Sequence, residues 1–123
     1  MNILTDIRDR LAWKYHCVFP ATASRLVEHG AVLVDVREAD EWQAGHASQA
    51  RHIPLGQLPQ RLDELPEQRP VILVSRSGRR AKRAAAFLAD RGHRASNLTG
   101  GMRAWAREGL PVIGTDDGPG SVR

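Results

Sequence analysis

Hydrophobic positions recur along this chain with two different periods, and the changes of period mark out its elements. Ile3, Leu4, Ile7 and Leu11 recur at helical spacing with Asp6, Arg8, Asp9 and Arg10 between them, which predicts an amphipathic helix within residues 1–16. Cys17-Val18-Phe19 has the pattern of a short strand. Pro20 then opens a helix at its first turn, where an N–H is not needed. Leu26 and Val27 supply its apolar face and Gly30 stands at the expected stop. Two continuous apolar runs, Ala31-Val32-Leu33-Val34 and Val71-Ile72-Leu73-Val74, suit strands covered on both faces. After the second run, Ala81, Ala84, Ala85 and Leu88 form the buried stripe of a helix that Gly92 ends. Ala95 to Leu98 predicts a further strand. Met102 and Trp105 predict a short helix ending near Gly109, and Pro111-Val112-Ile113 a final edge strand.

Strands therefore alternate with helices, the order of an α/β domain with a parallel sheet and helices on both faces. The main domain is expected over residues 17–114, followed by a flexible tail over 115–123, rich in Gly, Asp and Pro. In such sheets ligands sit beyond the carboxyl ends of strands. The segment from Val74 to Arg80 is such a place.

Composition narrows the picture. A chain of 123 residues with 41% hydrophobic and 26% charged residues fits one globular domain with one adequate core. No run reaches the roughly 18 apolar residues that span a bilayer, and the charged N-terminus lacks the apolar stretch of a signal peptide. Cys17 is the single cysteine, so no internal disulfide is possible and the cytoplasm is the expected location. The net charge is +4, but much of the excess is local: Arg76, Arg79, Arg80, Lys82 and Arg83 fall within eight residues. No aromatic residues interleave them to stack bases, so a local anion site is favoured over a nucleic-acid face.

The loop Ser75-Arg76-Ser77-Gly78-Arg79-Arg80 carries the chemistry. A buried strand ends, a glycine turns the chain, and a helix begins. Successive N–H groups in such a turn can face inward as a nest. The helix adds its partial positive end, and Arg76, Arg79 and Arg80 add full charges. The product is an anion-binding cup with Ser75 at its floor. A cysteine there would have a depressed pKa. A serine hydroxyl is a far weaker acid, and nothing in the sequence places a base beside it.

From Phe19 to Val112 the chain resembles the single-domain rhodanese, or thiosulfate sulfurtransferase-like, family. The resemblance rests on the order and spacing of several pieces. These are Leu33-Val34-Asp35-Val36-Arg37-Glu38; Trp42 with Gly45-His46; His52-Ile53-Pro54-Leu55; the loop of residues 76–80; Gly100-Gly101-Met102-Arg103-Ala104-Trp105; and Gly109-Leu110-Pro111-Val112. It implies a rhodanese fold with a mostly parallel five-stranded sheet. It implies a reaction in which a loop cysteine takes sulfane sulfur from thiosulfate and passes it to a thiophile such as cyanide or a thiol. By position, Ser75 stands where the family has that cysteine, and Arg76, Ser77, Gly78, Arg79 and Arg80 make the anion or persulfide cradle. Asp35 and Arg37 are supporting residues. The implied partners are a small sulfur-containing anion such as thiosulfate, or a protein thiol or persulfide. No cofactor is implied. Related phosphatases use a loop one residue longer, so the short loop favours a sulfur-sized ligand over a phosphomonoester. A second departure, Ala47-Ser48-Gln49, alters the rim.

Three readings of Ser75 stand open: a natural loss of catalysis leaving a binding module, an engineered replacement of a cysteine in an active sulfurtransferase, and a serine with its own chemistry, which would need an adjacent base. A further alternative makes the chain a basic binding module for nucleic acid or an acidic partner. Cys17, on an edge strand, is expected to be structural and far from the loop. Arg37 either binds substrate or pairs with a carboxylate such as Glu41, and Asp35 caps or pairs. Trp42 and Trp105 are expected in the core. His46 and His52 lack companions at metal-ligand spacing, so no metal site is expected.

Overall fold

The computed structural model describes residues 15–115 and 118–123. The amphipathic helix expected before residue 16 lies almost wholly outside them. The strands are β1 (His16–Val18), β2 (Val32–Asp35), β3 (His46–Ala47), β4 (Arg51–His52), β5 (Val71–Val74), β6 (Ala95–Leu98) and β7 (Val112–Ile113). The helices are α1 (Pro20–Glu28), α2 (Ala39–Ala44), α3 (Arg79–Ala89) and α4 (Gly101–Arg107), with two short 3₁₀ turns over Leu55–Gln60 and Leu62–Glu64.

The main sheet has the order β1-β6-β5-β2-β4. Every neighbouring pair is parallel, which brings the carboxyl ends of β2, β5 and β6 to one edge. β2 and β5 are buried at every position because helices cover both faces. On one face Val32, Val34, Val71 and Leu73 pack against Ala81, Ala84, Ala85 and Leu88 of α3, with Leu58 and Leu65 from the 3₁₀ region. On the other, Leu33, Ile72, Val74 and Leu98 pack against Ala23 of α1 and Met102 and Trp105 of α4. Small alanines on α3 let it approach the sheet closely, which seats its N-terminus over the end of β5.

β7 does not edge the main sheet; it pairs antiparallel with β3, Ala47 opposite Val112. β4, which completes the five strands, has no periodic signal because it is two residues long. In the tail, Ser121 N donates to Ala44 O at 2.9 Å, Gly120 N to Val112 O at 3.3 Å, and Val122 packs on the α4 face of the core.

Candidate functional site

The loop leaves β5 at Ser75, which is fully buried. Its Oγ accepts hydrogen bonds from Gly78 N and Ala81 N, each at 3.1 Å. The turn is possible because Gly78 adopts φ 110°, a region that side-chain-bearing residues rarely enter. Arg79 and Arg80 form the first turn of α3, so their amides have no intrahelical acceptor. Among the described residues the N–H groups of Arg76 and Ser77 also meet no backbone acceptor. Two amides thus face the serine hydroxyl while the rim keeps donors available for a ligand. Ser75, Arg76, Ser77, Arg79, Arg80, Lys82 and Arg83 line the resulting depression.

The start of α4 clamps the loop from below. Met102 N donates to Ser75 O at 2.8 Å and Arg103 N to Arg76 O at 3.1 Å. A Cβ at Gly101, which has φ 60°, would run into those same two carbonyl groups. The pair Gly100-Gly101 is therefore part of the loop's support rather than only a turn signal.

The cations divide into two groups. Arg80 does not point unopposed into the cup: its guanidinium is gripped by Glu41, Nη1 to Oε1 at 2.6 Å and Nη2 to Oε2 at 2.8 Å. Hydrogen bonding to Arg80 holds the Glu41 carboxyl down at about 2, although partial burial opposes this. Arg76 and Arg79 are exposed and have no ion pair among the described residues.

Arg37 pairs with a carboxylate, as one of its two readings expects, but the partner is Asp35 and not Glu41. Both are fully buried, and the Asp35 carboxylate accepts from Arg37 Nε and, at 2.8 Å, from Nη2. Nη2 also donates to Gly45 O at 2.6 Å. The pair anchors the end of β2 to the α2–β3 turn, and neither residue reaches solvent. Glu41 is occupied by Arg80, a partner 39 residues away that local spacing does not reveal.

Neither histidine serves Ser75. His46 Nδ1 is bonded to Trp42 O at 2.8 Å and His52 Nε2 to Arg37 O at 2.7 Å. Trp42 is half-buried and stacks on both imidazoles, at centroid distances of 3.5 and 4.8 Å, instead of entering the core; Trp105 is buried as expected. Among the described residues, none of the clustered acidic, histidine or cysteine side chains forms a set able to hold a metal.

Asn97 escaped sequence reasoning, although a buried polar residue within a strand is a visible signal. It is 1% exposed and its amide lies beneath Gly78, with Oδ1 left without a hydrogen-bond partner. Its Nδ2 approaches Cys17 Sγ at 3.8 Å. Cys17 is exposed on β1, an edge strand as expected, and Asn97 lies between it and Gly78.

The loop thus leaves the central strand of a parallel five-stranded sheet, closes two amides on Ser75 Oγ and rests on the double-glycine start of α4. The profile of the rhodanese-like domain matches residues 19–108, and the chain belongs to this family of sulfur-transfer proteins. A sulfurtransferase of Allochromatium vinosum is 41% identical over 83 residues, covering 67% of this chain and 78% of that one. The thiosulfate sulfurtransferase GlpE of Actinobacillus pleuropneumoniae is 32% identical over 97 residues, covering 77% of this chain and 90% of that one. A rhodanese-related protein of Thermoplasma volcanium has a TM-score of 0.73 at 26% identity, covering 80% of this chain and 98% of that one. No helix among the described residues is long and apolar enough to cross a membrane.

Proposed function

We propose that this rhodanese domain binds a small sulfur-containing anion such as thiosulfate, or the persulfide of a protein partner, in the loop of residues 75–80 and does not turn it over while residue 75 is serine. The observation that carries this reading is the environment of Ser75 Oγ: two amides donate to it and, among the described residues, no histidine or carboxylate accepts from it. Amides aimed at a side-chain atom favour a negative charge there, which a thiolate carries at neutral pH and a hydroxyl does not. A serine also has no sulfur on which to build a persulfide. The free donors of Arg76, Ser77, Arg79 and Arg80 suit the oxygens of an oxyanion. With one cysteine in the chain, the reading places the domain in a reducing compartment such as the cytoplasm.

The test combines two measurements on the same preparation. Calorimetry should find saturable thiosulfate binding at low ionic strength, and a thiosulfate:cyanide assay should find thiocyanate at the background rate. Turnover by the Ser75 protein, or no binding, would overturn the proposal. A second reading, an active sulfurtransferase whose cysteine has been exchanged for serine, is favoured by the integrity of the amide ring. It predicts that Ser75→Cys is sufficient to produce turnover.

A further inference from the structure

Beyond the cup, Arg76 also borders a second depression on the far side of the loop. This one is lined by Arg76, Arg103, Ala106, Arg107, Val122 and Arg123. Four arginines line it together with Ala106, which is exposed, and Val122, which is partly buried. Arg103 and Arg107 lie four residues apart on α4, on one helix face. Neither has an ion pair among the described residues, and Arg123 reaches Asp40 only at 3.4 Å and in solvent. The helix bearing them is tied to the loop backbone through Met102 N and Arg103 N, so the groove is held in register with the cup. A dianion in the cup is matched by Arg76, Arg79 and the loop amides. The charges of Arg103, Arg107 and Arg123 are surplus to that need and cost self-repulsion.

We infer that the groove of Arg76, Arg103, Arg107 and Arg123 docks an acidic, extended segment of a partner protein. The forked guanidinium groups match carboxylates, and Ala106 and Val122 offer apolar contact between them. Among the described residues no aromatic ring lines the groove to stack bases, which favours an acidic peptide over single-stranded nucleic acid. The docked segment would lie beside the mouth of the cup, with Arg76 shared between the two. The surplus of charge rests on the proposed reading of the cup, while the lining of the groove stands apart from it.

The probe is a fluorescein-labelled peptide alternating glutamate and valine, followed by anisotropy on the full chain, with its lysine counterpart and a labelled single-stranded DNA as controls. The expected result is saturable binding of the acidic peptide that weakens steeply with salt, and none of the lysine peptide. Arg103→Gln with Arg107→Gln should weaken the peptide about tenfold while changing thiosulfate affinity by less than about threefold. Arg76→Gln should weaken both ligands. Absence of peptide binding at low salt, an unchanged affinity in the double variant, or DNA binding tighter than the peptide would overturn the inference. Loss of thiosulfate binding alone would overturn the reading of the cup and leave the groove standing.

Discussion

Replacing Ser75 by cysteine places a sulfur where Gly78 N and Ala81 N already converge at 3.1 Å. A hydrogen bond to a charged acceptor is worth about 1.5 kcal/mol at the low end, so the two amides favour the thiolate by about 3 kcal/mol. At ~1.36 kcal/mol per decade, that raises the acidity constant about a hundredfold over a free cysteine. The thiolate then dominates at neutral pH. Its attack on the outer sulfur of thiosulfate would break the S–S bond, release sulfite and leave a persulfide. Cyanide would then remove the added sulfur as thiocyanate and restore the thiolate. The assay uses a Cys17→Ser background, so that ultraviolet thiolate absorbance reports residue 75 alone, followed by thiocyanate production. A folded variant whose thiol titrates like a free cysteine and yields no thiocyanate would refute the reasoning, because the amides would then not be acting on the side chain.

Three further outcomes follow from the supporting contacts. Arg37→Met leaves the fully buried Asp35 carboxylate without its cation and should cost about 3–5 kcal/mol in denaturant unfolding; a change below about 1 kcal/mol would show that the pair is not structural. Glu41 sits at about 2 in the folded state against an ordinary 4.5, so its stabilising effect is present above that ordinary value and is lost as pH falls through 4.5 toward 2. After solvent screening this amounts to about 1–2 kcal/mol, and Glu41→Gln should flatten the acid limb of stability by that amount. Gly101→Ala forces a Cβ into the Ser75 and Arg76 carbonyls at a left-handed φ and should cost about 2–3 kcal/mol, with thiosulfate binding weakened as the loop shifts.

What the sequence disclosed and what it hid have physical reasons. The runs at 31–34 and 71–74 were legible because strands buried on both faces read as continuous apolar runs, broken in β2 only by its last residue, Asp35, which is paired with Arg37. The loop at 75–80 was legible because a strand, a glycine and a helix start follow one another without a gap. The pairing of Glu41 with Arg80 was hidden because it joins α2 to α3 across the sheet edge, where no periodicity applies. Arg37 had two plausible carboxylates, and the backbone at the end of β2 decided for Asp35 by folding residue 37 back on residue 35. The contacts of the tail were hidden because they run to backbone groups on Ala44 and Val112, which composition does not record. Asn97 was missed because it was read as part of a strand and not as a polar group needing a partner.

The central claim is that a ring of loop amides is built to receive an anion above residue 75. Nuclear magnetic resonance during a thiosulfate titration tests it most directly. Saturable shifts in the amide resonances of Arg76, Ser77, Arg79 and Arg80, with one shared dissociation constant, are the predicted result. Loop amides that stay still, or that drift linearly with ionic strength like the rest of the surface, would contradict it.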